Sequence, residues 1–84
     1  NVDITALKIF PGSSAVRQSI SGINVRRAYG ISILAIRRKG EVLVNPSGET
    51  ILEPDDEAIV IGSPADIARL SLVFHPEKKP DGPQ

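Results

Sequence analysis

A predicted β-hairpin in the middle of the chain constrains the fold more than any other feature. Ile31–Ile36 is short and rich in isoleucine, a composition that favours a buried strand. Two arginines follow it, and Lys39-Gly40 then predicts a tight turn. Glu41–Val44 is the expected return strand, and the loop Asn45–Gly48 contains a proline that cannot donate a hydrogen bond to a sheet. The domain is therefore expected to be organised around a sheet.

Further strands and a C-terminal helix are predicted around this hairpin. Asp3–Phe10 and Ala58–Ile61 have the apolar patterns of strands, and Thr50–Leu52 is a short extended piece. Ser63-Pro64 is a strong helix start, because the serine hydroxyl can cap the first turn and the proline suits the first helical position. This helix is expected to run to about Val73.

Two helices are predicted between the first strand and the hairpin. Ser13-Ser14 can cap a helix whose apolar stripe is Val16, Ile20 and Ile23. Asn24–Tyr29 is a second short helix, stopped by the glycine that follows it. The order of elements predicts an α/β (α+β) fold, with a single small sheet of about four to five strands and two or three helices packed on it.

The chain is long enough for one domain and too short for two. Its 84 residues bury only about 60% of their unfolded surface, so we expect association with a second copy to add stability. The sequence has no cysteine, which excludes disulfides and thiolate metal sites. We expect residues 1–74 to form the domain and residues 75–84, with three prolines and mixed charges, to be a disordered tail. Because the sequence contains no methionine, even at position 1, we expect it to be a piece of a longer protein.

Side chains suited to catalysis are scarce. The one histidine, His75, falls in the predicted tail, so a general-base role is not expected. Asp55, Asp56 and Glu57 are consecutive, and their side chains would alternate between opposite faces of an extended segment. We interpret them as an acidic turn. Their spacing does not match a calcium loop, and the glycines do not form a phosphate-binding loop. The sequence predicts neither an enzyme nor a resident cofactor or metal.

Basic side chains form the most prominent polar cluster. Residues 1–45 carry seven basic and two acidic side chains, a net charge of +5, whereas residues 46–84 carry three and eight, a net charge of −5. Arginine suits phosphate recognition, although such a cluster is most often simply a solvated surface. Nucleic acid is not an expected partner, because aromatic residues are few and the pI is about 6.8. The clustered residues are Arg26, Arg27, Arg37, Arg38 and Lys39.

Four segments match a known pattern in their order and spacing: residues 25–31 (VRRAYGI), 32–38 (SILAIRR), 44–46 (VNP) and 50–62 (TILEPDDEAIVIG). With them, the chain from Ile4 to Leu72 resembles the C-terminal domain of regulators of potassium conductance, also called the TrkA C-terminal or RCK_C domain. It departs from the family at two positions. Arg17 stands where the family often has a glycine, and Asp55 stands where a Gly-Asp turn is usual.

The resemblance implies a homodimer with a pocket at its two-fold axis. In several family members this pocket takes cyclic di-AMP. The resemblance also implies a cytoplasmic domain at the inner face of the cell membrane, working with a channel or transporter subunit. The alternative is a ligand-free dimerisation module of a transporter or antiporter regulator.

The predicted hairpin is consistent with a small phosphorylated ligand. Arg37 and Asn45 lie on its two arms and could reach a common anion, while the neighbouring aliphatic side chains could form the walls for a base. The candidate ligand-binding residues are Ile33, Ile36, Arg37, Arg38, Val44, Asn45 and Pro46.

Overall fold

A computed structural model describes residues 1–76 of the chain. The predicted fold class, one small sheet with helices packed on it, is confirmed. The described residues form four strands and three helices: β1 (Asp3–Lys8), α1 (Ile20–Ile23), α2 (Val25–Tyr29), β2 (Ser32–Arg38), β3 (Glu41–Val44), β4 (Glu57–Gly62) and α3 (Pro64–Phe74).

The strands form one antiparallel sheet in the order β1-β4-β2-β3. The predicted turn joins β2 and β3: Lys39 and Gly40 have φ values of 50° and 82°, as a two-residue hairpin turn requires. The predicted extended piece Thr50–Leu52 does not form a strand of the sheet, although Ile51 makes an isolated β-bridge with Ser19. The hairpin therefore lies at one edge of the sheet, where β3 is the edge strand and β2 is an inner strand.

One face of the sheet is covered and the other is open. On β4, Ala58 and Val60 are fully buried under the helices, while Ile59 points to the opposite face. That open face carries exposed aliphatic side chains of the edge strands, including Ile4 and Val44. The buried apolar core consists of Ile9, Ala15, Val25, Ile31, Ile36, Leu52, Ala58, Val60, Ile67, Leu70 and Phe74.

Helix α3 begins as its sequence predicts. The Ser63 hydroxyl accepts a hydrogen bond from the backbone N–H of Asp66 at 3.1 Å, and Pro64 is the first helical residue. Hydrogen bonding from Arg69, together with Ser63, holds the pKa of the Asp66 carboxyl below its ordinary value of 3.8. The helix runs to Phe74, whose ring is fully buried.

The predicted start of the first helix at Ser13-Ser14 is wrong. Residues 11–17 form turns, and α1 is a single turn capped by Ser19, whose Oγ accepts from the Gly22 N–H at 2.9 Å. The cause is tertiary pairing. The Arg17 N–H donates to the Leu52 carbonyl at 2.7 Å, and the Leu52 N–H donates to the backbone carbonyl of Gln18 at 2.9 Å. This pairing draws the segment away from a helix, and Arg17 adopts a left-handed φ of 69°.

We expect Arg17→Gly to stabilise the domain by up to about 1.5 kcal/mol. A left-handed conformation costs a non-glycine residue about 1–2 kcal/mol, and the greater freedom of glycine in the unfolded chain offsets about 0.5–1 kcal/mol of that gain. Urea unfolding of the two proteins measures the difference. Arg27→Gly, placed inside α2, is the control and should instead destabilise by about 1 kcal/mol. A destabilised Arg17→Gly protein would contradict the prediction.

The C-terminal end of the described chain lies against the domain. The predicted tail starts too early, because the His75 ring stacks on Phe10 with centroids 4.6 Å apart. The His75 Nδ1 atom also lies 2.7 Å from the Ser71 carbonyl oxygen, and Pro76 bridges to Ser13. These contacts attach His75 and Pro76 to the folded domain. The prediction of disorder for residues 77–84 lies outside the described residues.

Candidate functional site

Arg38 and Asp56 form an ion pair that holds the hairpin to the rest of the domain. Arg38 Nε and Nη2 donate to the two carboxylate oxygens of Asp56 at 2.9 and 2.8 Å, and Nη2 also donates to the Ile51 carbonyl. Asp56 is only 1% exposed and also accepts from the Glu53 N–H at 2.8 Å. This hydrogen bonding raises the pKa of the Arg38 guanidinium. Arg38 is therefore engaged inside the domain, and Asp56 is a structural residue that the interpretation as an acidic turn missed.

Arg37 lies on the open face of the sheet. It stands opposite Glu57 in the register, and its Nη1 atom donates to the Glu57 carboxylate at 2.6 Å. Val44 lies on the same face, opposite Ala35. Arg37 therefore already has an anionic partner, and it points away from the helices.

Ile36 belongs to the hydrophobic core. A β-bulge at Leu34 shifts the register between Ile33, opposite Val60, and Ala35, opposite Ile59. Ile33 and Ile36 consequently both point to the covered face, and Ile36 is 0% exposed. A ligand cannot contact Ile36 without opening the domain. The structure thus corrects the predicted site at this position, for a reason that simple strand alternation does not reveal.

A cleft on the helical side of the sheet brings Ile33 and Pro46 together. It lies between α1, α2 and the loop after β3, and its volume is about 330 Å³. Asn45, which precedes Pro46 in the chain, does not line the cleft; it has a left-handed conformation (φ 51°), and its N–H donates to the Leu34 carbonyl at 2.9 Å. We call this cavity the helical cleft, and its lining residues are Ile20, Ser21, Asn24, Val25, Arg26, Ile31, Ser32, Ile33, Pro46 and Gly48.

The helical cleft combines apolar walls with polar groups. Ile20, Ile33 and Pro46 supply aliphatic surface, and Asn24 and Arg26 supply hydrogen-bond donors. Such a mixture is typical of small-molecule sites. Arg26 was noted in the sequence as part of a basic cluster, but its place in a cleft depends on how α2 packs beside β2.

A larger cavity of about 530 Å³ lies beside the ion pair of Arg38 and Asp56. Lys39 is its second cation, whereas Glu53 and Asp55 add further acidic groups to the lining. These carboxylates disfavour an anion there, because like charges repel it and Arg38 is already paired. The helical cleft is therefore the better candidate for a phosphorylated ligand.

Two observations concern metals and membranes. Within residues 1–76, histidine, aspartate and glutamate side chains form no group of three or more that could hold a metal ion. None of the helices in this part of the chain is both long and apolar enough to cross a membrane.

Comparison with solved structures finds the same fold in domains that were solved in complex with c-di-AMP. The RCK_C domain dimer of S. agalactiae BusR in complex with c-di-AMP is 25% identical, with a TM-score of 0.79, over 87% of this chain and 90% of that one. The RCK C domain of the potassium transport protein KtrA, also in complex with c-di-AMP, is 33% identical with a TM-score of 0.75, over 86% and 82%.

BusR has also been solved with its busAB-promotor DNA. That structure is 25% identical to this chain with a TM-score of 0.78, and the likeness covers 84% of this chain and 35% of that one. The expectation that this protein has no nucleic-acid partner therefore stays a prediction.

Sequence comparison finds relatives in potassium uptake systems. Ktr system potassium uptake protein C of Bacillus subtilis is 36% identical over 63 residues, which are 75% of this chain and 28% of the relative. The chain thus spans about a quarter to a third of the length of the curated relatives that it matches. The model of the TrkA-C domain matches residues 4–75. That match extends over almost the whole described chain, from β1 to the end of α3, and shows that this chain belongs to the TrkA-C domain family.

Proposed function

We propose that this chain is a regulatory domain of a potassium transport system, which forms a homodimer and binds cyclic di-AMP between its two copies. The observation that carries the proposal is the helical cleft, where aliphatic walls meet an arginine and an asparagine. Two solved domains of the same fold contain c-di-AMP, and a relative belongs to a potassium uptake system. The role is regulatory rather than catalytic, and the domain would act in the cytoplasm at the inner face of the membrane.

The symmetry of the ligand suits a two-fold dimer. Cyclic di-AMP contains two phosphodiesters and two adenines related by its own two-fold symmetry. Two copies of the helical cleft would supply two sets of walls and two cations, so each half of the ligand would meet equivalent side chains. In this arrangement Ile33 and Pro46 would contact the adenines. Asn45, the residue before Pro46, would offer its amide to a phosphate or a base edge. Arg37 and Val44 would take part only if the ligand extended to the open face.

Exposed aliphatic side chains lie on both faces of the sheet. Leu43 of β3 stands opposite Ile36 and is 38% exposed on the side of the helical cleft, whereas Val42, Val44 and Ile4 are 57%, 73% and 62% exposed on the open face. Covering Leu43 in the contact that shares the ligand would stabilise a domain this small.

Calorimetric titration with cyclic di-AMP tests the proposal, together with sedimentation of the same protein with and without ligand. We expect one ligand per two chains, and a dimer that tightens when the ligand is added, because binding to the dimer alone favours it by mass action. A dimer that binds no nucleotide at millimolar concentration would support the ligand-free dimerisation module instead. A monomer that binds one ligand per chain would contradict the shared site.

A further inference from the structure

The open face of the sheet carries its side chains in regular rows that run across the four strands. The register of the strands defines each row, because residues paired between neighbouring strands point to the same face. We call one of them the aliphatic row, and it consists of Ala6, Ile59, Ala35 and Val44. The next row towards the hairpin turn is the charged row, and it consists of Lys8, Glu57, Arg37 and Val42.

The aliphatic surface of this face is unusual for a sheet in contact with water. The solvated face of an antiparallel sheet ordinarily carries polar side chains. Here the aliphatic row contains no polar side chain, and Ile4 and Ile61 pair with each other in the row on its far side. Ile4 is 62% exposed and Val44 is 73% exposed. A continuous apolar patch of this kind, bordered by charges, is typical of a surface that contacts another protein.

The aliphatic row is complementary to a second copy of itself. If a second sheet is turned over about a two-fold axis that runs along the strands, between β4 and β2, each β4 lies over the partner's β2 and each β1 over the partner's β3. Ile59 then lies over Ala35 of the partner subunit, and Val44 lies over Ala6 of the partner subunit. Each large side chain thus meets a small one, which is how the inner faces of two packed sheets interdigitate.

The charged row selects the same orientation. The axis along the strands places Glu57 over Arg37 of the partner subunit, and Arg37 over Glu57 of the partner subunit. Since these two residues already pair within one chain at 2.6 Å, the four groups would alternate in sign. An axis across the strands would instead lay the charged row against Ile4 and Ile61 of the partner subunit, and burying charges against apolar surface is costly. The charge pattern therefore favours a single arrangement of the two sheets.

We propose that the open face of this domain binds the open face of a second copy in that arrangement, so that the two sheets form a two-layer sandwich. This contact goes beyond the proposed function, because it lies on the opposite side of the sheet from the helical cleft and would join ligand-sharing dimers into larger assemblies. Four strands of this length make a face of about 20 Å in each direction. Such a face is small for a protein interface, so the association should be weak and should develop at high micromolar protein concentrations.

Sedimentation over a concentration series, without nucleotide, tests whether the open face carries the association. Val44→Lys places a charge in the aliphatic row and should abolish most of the rise in mass that the parent protein shows. Leu72→Lys is the matched control, because Leu72 is 76% exposed but lies on α3, which packs on the covered face. It should associate like the parent, and circular dichroism melting should show that both variants are folded. If the two variants associate equally, whether both do or neither does, the open face is not the contact.

A charge reversal tests the orientation of the two sheets. The double variant Arg37→Glu/Glu57→Arg keeps an ion pair within the chain and keeps opposite charges facing each other between two copies of the variant. A mixed pair of parent and double variant would place like charges opposite each other. We therefore expect each protein to associate with itself, and mixed association to be weaker by at least about tenfold.

Energy transfer between donor-labelled and acceptor-labelled N-termini measures mixed and self association at the same concentrations. Any contact through the helical cleft contributes equally to both, so their difference reports on the open face. Free mixing of the parent with the double variant would overturn the proposed arrangement. None of these measurements uses a nucleotide, so their outcome is independent of whether cyclic di-AMP binds.

Discussion

Replacing Arg38 by methionine should destabilise the domain by about 3 kcal/mol. The change leaves the Asp56 carboxylate almost wholly buried without its cationic partner, and breaking a buried ion pair in this way costs about 3–5 kcal/mol. We expect the lower end of that range because the Arg38 side chain is 30% exposed, so water already screens part of the interaction. Urea denaturation at neutral pH measures the loss.

Two further variants identify the cause of that loss. Arg37→Met breaks the neighbouring ion pair with Glu57, where both side chains are more than a third exposed, and should cost less than about 1 kcal/mol. The double variant Arg38→Met/Asp56→Asn removes the stranded charge and keeps an acceptor for the Glu53 N–H, so it should recover part of the stability. An Arg38→Met protein as stable as the parent would show that the ion pair does not hold the hairpin.

Truncating Ile36 to alanine should cost about 2–5 kcal/mol, the usual range for removing a fully buried aliphatic side chain. Ile36 packs in the core on the covered face of β2, where the neighbouring side chains can fill the resulting cavity only in part. Thermal and urea unfolding measure the effect. Val44→Ala, on the adjacent strand but 73% exposed, is the control and should stay within about 0.5 kcal/mol of the parent. A comparably small loss for Ile36→Ala would contradict its place in the core.

The structural roles of Arg38 and Ile36 affect how ligand binding should be measured. Arg38 and Ile36 both fall in the hairpin segment from which a ligand site was predicted, yet the structure gives both of them structural roles. A variant of either residue could lose binding because fewer molecules are folded. Titrations should therefore be normalised to the folded fraction. A variant of Arg26 avoids this difficulty, because this residue of the helical cleft is exposed.

Two residues with left-handed backbone conformations stand at the positions where this sequence departs from its family. Arg17 stands where the family often has a glycine and Asp55 where a Gly-Asp turn is usual, and both adopt positive φ, at 69° and 72°. Glycine enters such conformations without steric cost, which is a physical reason for a glycine at positions of this kind. The resemblance had marked these positions as departures, and the structure shows the conformation that they share.

Local chemistry determined several elements of this protein by itself. The sequence correctly predicts the hairpin with its turn at Lys39-Gly40 and the capped start of α3 at Ser63. Each of these elements depends on residues that lie close together in the chain. The helix ended by Gly30 is a further example. In each case, the hydrogen-bond partner or the favoured backbone angle belongs to neighbouring residues.

Tertiary structure alone decided where the candidate site lies. The bulge at Leu34 depends on pairing with β4 and turns Ile36 into the core, and Asp56 is buried because Arg38, 18 residues away, reaches it. The predicted helix start at Ser13-Ser14 does not form, because residues 17–20 pair with residues 50–52. Such long-range partners are chosen by the packing of the whole sheet, which local patterns do not encode. The same packing brings Arg26, Ile33 and Pro46 to one cleft, so the helical cleft forms only when the chain is folded.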